Sequence, residues 1–88
     1  MSYQLLIEKK VFKDLDRIPA QELERIHKSM TGLEQDPYPA GVKKLKGTSG
    51  RYRIRQGDYR IVYTVDESSK VVNVLLVRHR KDAYRDVA

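Results

Sequence analysis

RYRIRQGDYRIVYTV, residues 51–65, changes side-chain character at every second position on both sides of Gly57-Asp58. A period of two is the mark of a strand with two unlike faces. A glycine followed by aspartate between two such runs predicts a two-residue hairpin turn of type II′, whose first central residue needs a positive φ. With Gly57 and Asp58 as the central pair, Gln56 faces Tyr59, Ile54 faces Ile61 and Tyr52 faces Tyr63 on one side of the ribbon. The other side receives Arg55 opposite Arg60, Arg53 opposite Val62 and Arg51 opposite Thr64. A slip of one residue would drive the arginines in among the aromatic and aliphatic side chains, so the pattern specifies its own register.

Downstream, residues 66–70 read as a turn and residues 71–77 as an almost continuous apolar run, the pattern of a central strand buried on both faces. Its end delivers Arg78, His79 and Arg80, and a short helical or extended tail over 81–87 carries Tyr84 and Arg85. Upstream, Lys43, Lys44 and Lys46 follow a Pro/Gly-rich turn. At the start of the chain, Tyr3, Leu5 and Ile7 alternate with Gln4 and Glu8 as a half-buried strand does. Val11, Phe12, Leu15 and Ile18 then recur at helical spacing, predicting a short helix over about 9–17. Pro19 suits the opening turn of a second helix, with Glu22 and Glu24 near its positive end and an apolar stripe of Leu23, Ile26, Met30 and Leu33. That helix must stop before Asp36-Pro37-Tyr38-Pro39, because proline restricts its predecessor and cannot continue the ladder. The expected fold is α+β: an N-terminal strand, a two-helix hairpin, an antiparallel three-stranded meander and a short C-terminal tail or helix. Together these form one small, mostly antiparallel sheet with the helices on one face.

Eighty-eight residues hold one domain, here expected over 1–88, and leave little room for a large enclosed active site. There is no cysteine, which excludes disulfides and thiolate metal sites, and a small core without staples gains from a bound partner. No stretch approaches the roughly 20 apolar residues of a membrane span, and the N-terminus lacks the apolar run of a signal peptide; the expected location is the cytoplasm, with no membrane partner. The net charge of +6 is segregated. Residues 1–41 hold six Lys/Arg against seven Asp/Glu, whereas residues 42–85 hold twelve against four. Surplus lysine for solubility would not sort itself by half, so the distribution points to a polyanion bound by the C-terminal half.

Arg55 set against Arg60, with Arg53 close by, places like charges opposite one another at a cost in stability. An anion relieves that cost, and the planar guanidinium fork grips two phosphate oxygens at once. The competing view is a solvated sheet face on which splayed arginines cover apolar surface with their stems. Arg51, Lys43, Lys44, Lys46, Arg78, Lys81 and Arg85 extend the basic surface as candidate RNA or phosphate contacts. His79 is a candidate proton-transfer group because its ordinary pKa lies near neutrality, or else a strand-end residue that packs or binds phosphate. Tyr84 can stack on a nucleobase or cover the core. His27, between Arg25 and Lys28, reads as an exposed helix residue. The histidines and carboxylates have no metal-ligand spacing, and neither a Gly-rich nucleotide loop nor a nucleophile elbow occurs.

GRYRIRQGDYRIVYTVD at 50–66 and VRHRKDAYR at 77–85, with the order of elements around them, resemble the RelE/ParE toxin superfamily across essentially the whole chain. The H-R-x-x-x-Y ending is more like RelE than ParE. The resemblance implies a toxin of a type II toxin–antitoxin system that enters the ribosomal A site and cuts mRNA there. It also implies an antitoxin partner encoded beside it, with operator DNA bound only through the toxin–antitoxin complex. By the same resemblance Arg53, Arg55, Arg60, Arg80 and Tyr84 fall on the catalytic positions. Cleavage in the family runs by attack of the ribose 2′-hydroxyl on the adjacent phosphate, so neither cofactor nor metal is expected. One departure matters: well-known RelE members carry lysines where this chain has Arg53 and Arg55, and arginine does not give up its proton under ordinary conditions. The base therefore stays open between His79, Tyr84 and ribosomal groups. Two other readings remain beside the nuclease: a ParE-like inhibitor of DNA gyrase, and a toxin fold that has lost activity and serves as a nucleic-acid or antitoxin-binding module.

Overall fold

The computed structural model describes residues 2–47 and 50–83. In chain order these form β1 (Gln4–Ile7), α1 (Lys9–Leu15), α2 (Ala20–Gly32), β2 (Lys43–Lys44), β3 (Arg51–Gln56), β4 (Tyr59–Asp66), β5 (Val71–His79) and α3 (Arg80–Ala83). The sheet order is β1-β5-β4-β3-β2, antiparallel throughout except that β1 runs parallel to β5. The class is α+β, as the sequence predicts. The parallel β1–β5 pair and the two-residue edge strand β2 are additions, since neither the direction of a first strand nor so short a pairing leaves a periodic signal.

The hairpin forms in the expected register, from Gln56 opposite Tyr59 to Arg51 opposite Thr64. Gly57 takes φ +61° while Asp58 stays on the ordinary side, as a II′ turn requires. Its apolar face packs beneath the helices: Ile54, Ile61 and Tyr63 join Val72, Val74 and Val77 of β5, Val11 of α1, and Ile26, Met30 and Leu33 from α2 and its end.

Two expectations need correction. Strand β5 is not buried on both faces: Val72, Val74 and Val77 are buried, while Val71, Asn73, Leu75 and Leu76 are only partly covered. Val62 pairs with Leu76 but Tyr63 pairs with Val74, so Leu75 is the extra residue of a β-bulge. The bulge switches the parity of the strand, which converts an alternating pattern into an unbroken apolar run. Helix α1 stops at Leu15 rather than near residue 17, and Phe12, one of the apolar residues at helical spacing, is 53% exposed. Val11 is the one fully buried residue of this seven-residue helix, and Phe12, about 100° round the helix axis, looks into the groove between α1 and α2.

Candidate active site

Side chains on neighbouring strands share a face with their partners. Arg55 pairs with Arg60 and Arg60 with Arg78, on the face away from the helices. Three arginines thus stand in a row across three adjacent strands, about 4.8 Å from one strand to the next. Part of the repulsion is answered locally. The Arg78 guanidinium forms an ion pair with the Asp14 carboxylate of α1, which also accepts the Val77 N–H at 3.3 Å. Asp14 so covers the edge of β5 beyond the end of β1. Arg78, expected as an RNA contact, is committed to this carboxylate at the sheet edge.

Arg60, in the middle of the row, is 5% exposed, and Arg55 beside it is open to solvent. Around them Arg55, Gly57, Asp58, Arg60, Arg80 and Lys81 line a pocket of about 470 Å³. The hairpin supplies Arg55 and Arg60, and the start of α3 supplies Arg80 and Lys81. The Arg80 N–H donates to the Asp58 carbonyl at 2.7 Å, and its Nε lies 3.9 Å from Asp58 Oδ1. Among the described residues, four cationic side chains against one carboxylate suit a phosphate group, or the dianionic phosphorane that forms from a phosphodiester.

Other predicted residues distribute around this pocket. Arg53 is paired with Val62 on one side and with Lys43 of β2 on the other, so Arg53 and Lys43 flank the pocket on its own face without lining it. Arg51, opposite Thr64, continues that basic line toward the far end of the sheet. Lys44 is opposite Tyr52 and shares the helix-side face, and Lys46 is exposed in the turn after β2.

His79 is not among the arginines. It pairs with Tyr59, its ring meets the Tyr59 ring edge-on at a centroid distance of 5.3 Å, and its Nδ1 accepts the Lys81 N–H at 3.2 Å. Tyr59 in turn lies beside Glu22 of α2; burial first, and then the Glu22 carboxylate, push its phenol above the ordinary value. Of the two expectations for His79, proton transfer among the arginines or a strand-end residue that packs, its contacts on the Tyr59 face favour the second. The bulge at Leu75 changes which residues of β5 share a face, and that change was invisible in the apolar run. Tyr84 and Arg85 lie outside the described residues. His27 is exposed on α2, as its charged neighbours suggest.

Sequence reasoning read Asp58 only as a turn-former. Its place at the pocket rim depends on α3 folding back onto the hairpin tip, a contact between segments some twenty residues apart that no local pattern announces.

Comparison with known proteins agrees with the fold. The chain is 29% identical over 89 residues to the putative toxin RelE1 of Methanocaldococcus jannaschii, covering 98% of this chain and 99% of the relative. Among solved structures, an archaeal RelE–RelB complex from Pyrococcus horikoshii superposes with a TM-score of 0.82 at 36% identity, covering 94% of this chain and all of that one. The RelBE2 toxin–antitoxin complex of Mycobacterium tuberculosis superposes with a TM-score of 0.80 at 26% identity, over 91% of this chain and all of that one. The family model for the ParE toxin of type II toxin–antitoxin (parDE) systems matches residues 5–84. With four-fifths and more of its length matched, this chain belongs to the RelE/ParE superfamily of type II toxins.

Proposed function

We propose that this toxin, as a single domain over residues 1–88, is an endoribonuclease that cleaves mRNA in the A site of the ribosome and so stops translation in the cytoplasm. The observation that carries the reading is the pocket in which Arg55, Arg60, Arg80 and Lys81 converge on the face of the sheet away from α1 and α2. A site of this composition suits a phosphodiester whose negative charge grows during reaction. The ribose 2′-oxygen attacks the adjacent phosphorus, the bond to the 5′-oxygen breaks, and a cyclic phosphate and a free 5′-hydroxyl result. Arg55, Arg60 and Arg80 hold the phosphate and stabilise the phosphorane, with Lys81 adding charge from the start of α3. Guanidinium groups cannot accept the ribose proton. With His79 on the other face, that role falls to Tyr84 or to ribosomal groups.

Arg53, Lys43 and Arg51 extend the basic surface along β3 and contact the RNA backbone on either side of the cleaved linkage. A cognate antitoxin, as in the complexes solved for relatives, holds the toxin inactive; a segment with acidic and apolar residues fits the basic sheet face. Operator DNA is met only through that complex.

The deciding experiment adds purified toxin to a reconstituted translation reaction with a defined mRNA. Cleavage within the A-site codon, with cyclic phosphate ends and no cutting of the same mRNA without ribosomes, is the expected result. Intact ribosome-bound mRNA would sink the proposal. The second reading, gyrase inhibition, is favoured by the ParE description of the matching family model. Its signature is DNA-damage signalling in cells whose mRNA stays whole.

A further inference from the structure

Asp58 runs against the chemistry of the pocket it lines. The other charged side chains described there are cationic, and a carboxylate on the rim of an anion site repels the anion to be admitted. Turn chemistry does not require it, because asparagine or serine serves equally well after the glycine of a II′ turn. Stability does not require it either. Its ion pair with Arg80 spans 3.9 Å between side chains that are 58% and 63% exposed, and pairs so open to water contribute little.

What Asp58 does have is two holds on one residue: its carbonyl accepts the Arg80 N–H and its carboxylate faces Arg80 Nε. Arg80 opens α3, a helix of four residues, too short to set its own direction. A long exposed arginine at such a junction would otherwise sample many rotamers, and each would have to be given up when phosphate binds.

We infer that Asp58 is the positioning residue for Arg80. It ties the start of α3 to the hairpin tip and occupies the Nε side of the guanidinium. The two terminal nitrogens are thereby left pre-set for phosphate oxygens opposite Arg55 and Arg60. The local loss of positive charge at the rim is offset by order in a group that matters most as the phosphorane forms. What Arg80 is positioned to do rests on the ribonuclease reading; that Asp58 positions it does not.

The test is a double-mutant cycle read by single-turnover cleavage of ribosome-bound mRNA. Asp58→Asn keeps the turn residue and the backbone bond, and its melting temperature should stay within a few degrees of wild type. Its rate at saturating toxin should fall about 10-fold with half-saturation changed less than about 2-fold. Arg80→Ala should cost about 100-fold. The double variant should be no slower than Arg80→Ala alone, because a residue that acts through Arg80 has nothing left to act on. Losses that multiply, or an Asp58→Asn rate equal to wild type, overturn the inference. Nuclear magnetic resonance of the arginine Nε–H groups reads the positioning without activity. The Arg80 signal should be sharp in wild type and broadened by Asp58→Asn, with that of Arg55 unmoved. An Arg80 signal indifferent to Asp58→Asn overturns the inference even in an inactive protein. A signal that depends on Asp58, in a protein that leaves ribosomal mRNA intact, refutes the ribonuclease reading alone.

Discussion

Where β1 and β3 begin, Glu67 gathers the polar groups around it. It accepts the hydroxyls of Tyr3, at 2.7 Å, and Tyr38, and pairs with Lys70 at 3.1 Å. Tyr38 meets Tyr52 edge-on, Tyr52 stacks on Tyr63, and the buried Tyr63 hydroxyl donates to the Pro37 carbonyl at 2.6 Å. At the opposite end, where the hairpin turns, Arg55, Arg60, Arg80 and Lys81 crowd one pocket with Asp58 as the single carboxylate among the described residues. The same two strands, β3 and β4, thus run from an end where donors meet acceptors to an end where like charges are held together. The first end lowers the free energy of the fold; on the ribonuclease reading proposed above, the second holds charge in readiness for a phosphodiester. A site that must stabilise a highly charged transition state cannot also have its charges fully neutralised by the protein.

The sharpest way to break this contrast is to remove the central cation. Arg60→Met retains the apolar stem and its packing while deleting the charge. Cleavage of ribosome-bound mRNA should fall at least about 100-fold and growth arrest should disappear, as for loss of a main stabiliser of the transition state. Thermal stability should hold or rise, because the opposed Arg55 and Arg78 no longer face a third like charge. A variant that melts well below wild type would show that Arg60 serves the fold, and one that still cuts at the wild-type rate would remove it from the site.

The reverse experiment belongs to the other end. Tyr63→Phe keeps the ring but leaves the Pro37 carbonyl without its buried donor, at a cost of about 1 to 2 kcal/mol. For a chain of this size that corresponds to a fall in melting temperature of about 4 to 16 °C. Below the transition, cleavage per folded molecule should match wild type. Loss of activity in fully folded Tyr63→Phe would couple the two ends and refute their independence.

The hairpin was the most legible part of the molecule, because its information is local. A glycine able to take positive φ and two runs of period two suffice to pair Arg55 with Arg60 before any coordinates are known. The helical stripe of Ile26, Met30 and Leu33 was legible for the same reason. What escaped depends on contacts distant in sequence. The bulge at Leu75 carries His79 to the face of Tyr59, the Asp14 carboxylate reaches Arg78 across more than sixty residues, and Asp58 meets Arg80 only once α3 folds back. Of the site, then, the cations of the hairpin could be read from the residues themselves and Arg80 from the resemblance; that Arg78 and His79 stand apart from them could not.

The smallest effect tests whether Glu67 is the keystone of the tyrosine end. Hydrogen bonds from Tyr38, Tyr3 and Lys70 hold its carboxyl at about 2, below its ordinary 4.5. A carboxylate whose pKa is lower when folded contributes stability that is complete above the ordinary value and is lost as pH falls through the folded one. Wild-type melting temperature should therefore decline as the medium is acidified from about 4.5 toward 2, with Glu67 supplying part of the slope. Asp66, held below its ordinary value chiefly by the Ser68 hydroxyl, supplies a further part and remains as an internal control. Glu67→Gln keeps one oxygen to accept a phenol, while its amide nitrogen can only donate, and it cannot titrate; at neutral pH it should melt slightly below wild type, having lost one acceptor and the charge opposite Lys70. On acidification the two curves should converge, because protonation strips the same charge from the wild-type protein. The groups are exposed, so the convergence will amount to a few degrees at most. Curves that stay parallel from neutrality down to pH 2 would mean that the tyrosine end is held by its rings and by the Tyr63 bond, with Glu67 only decorating it.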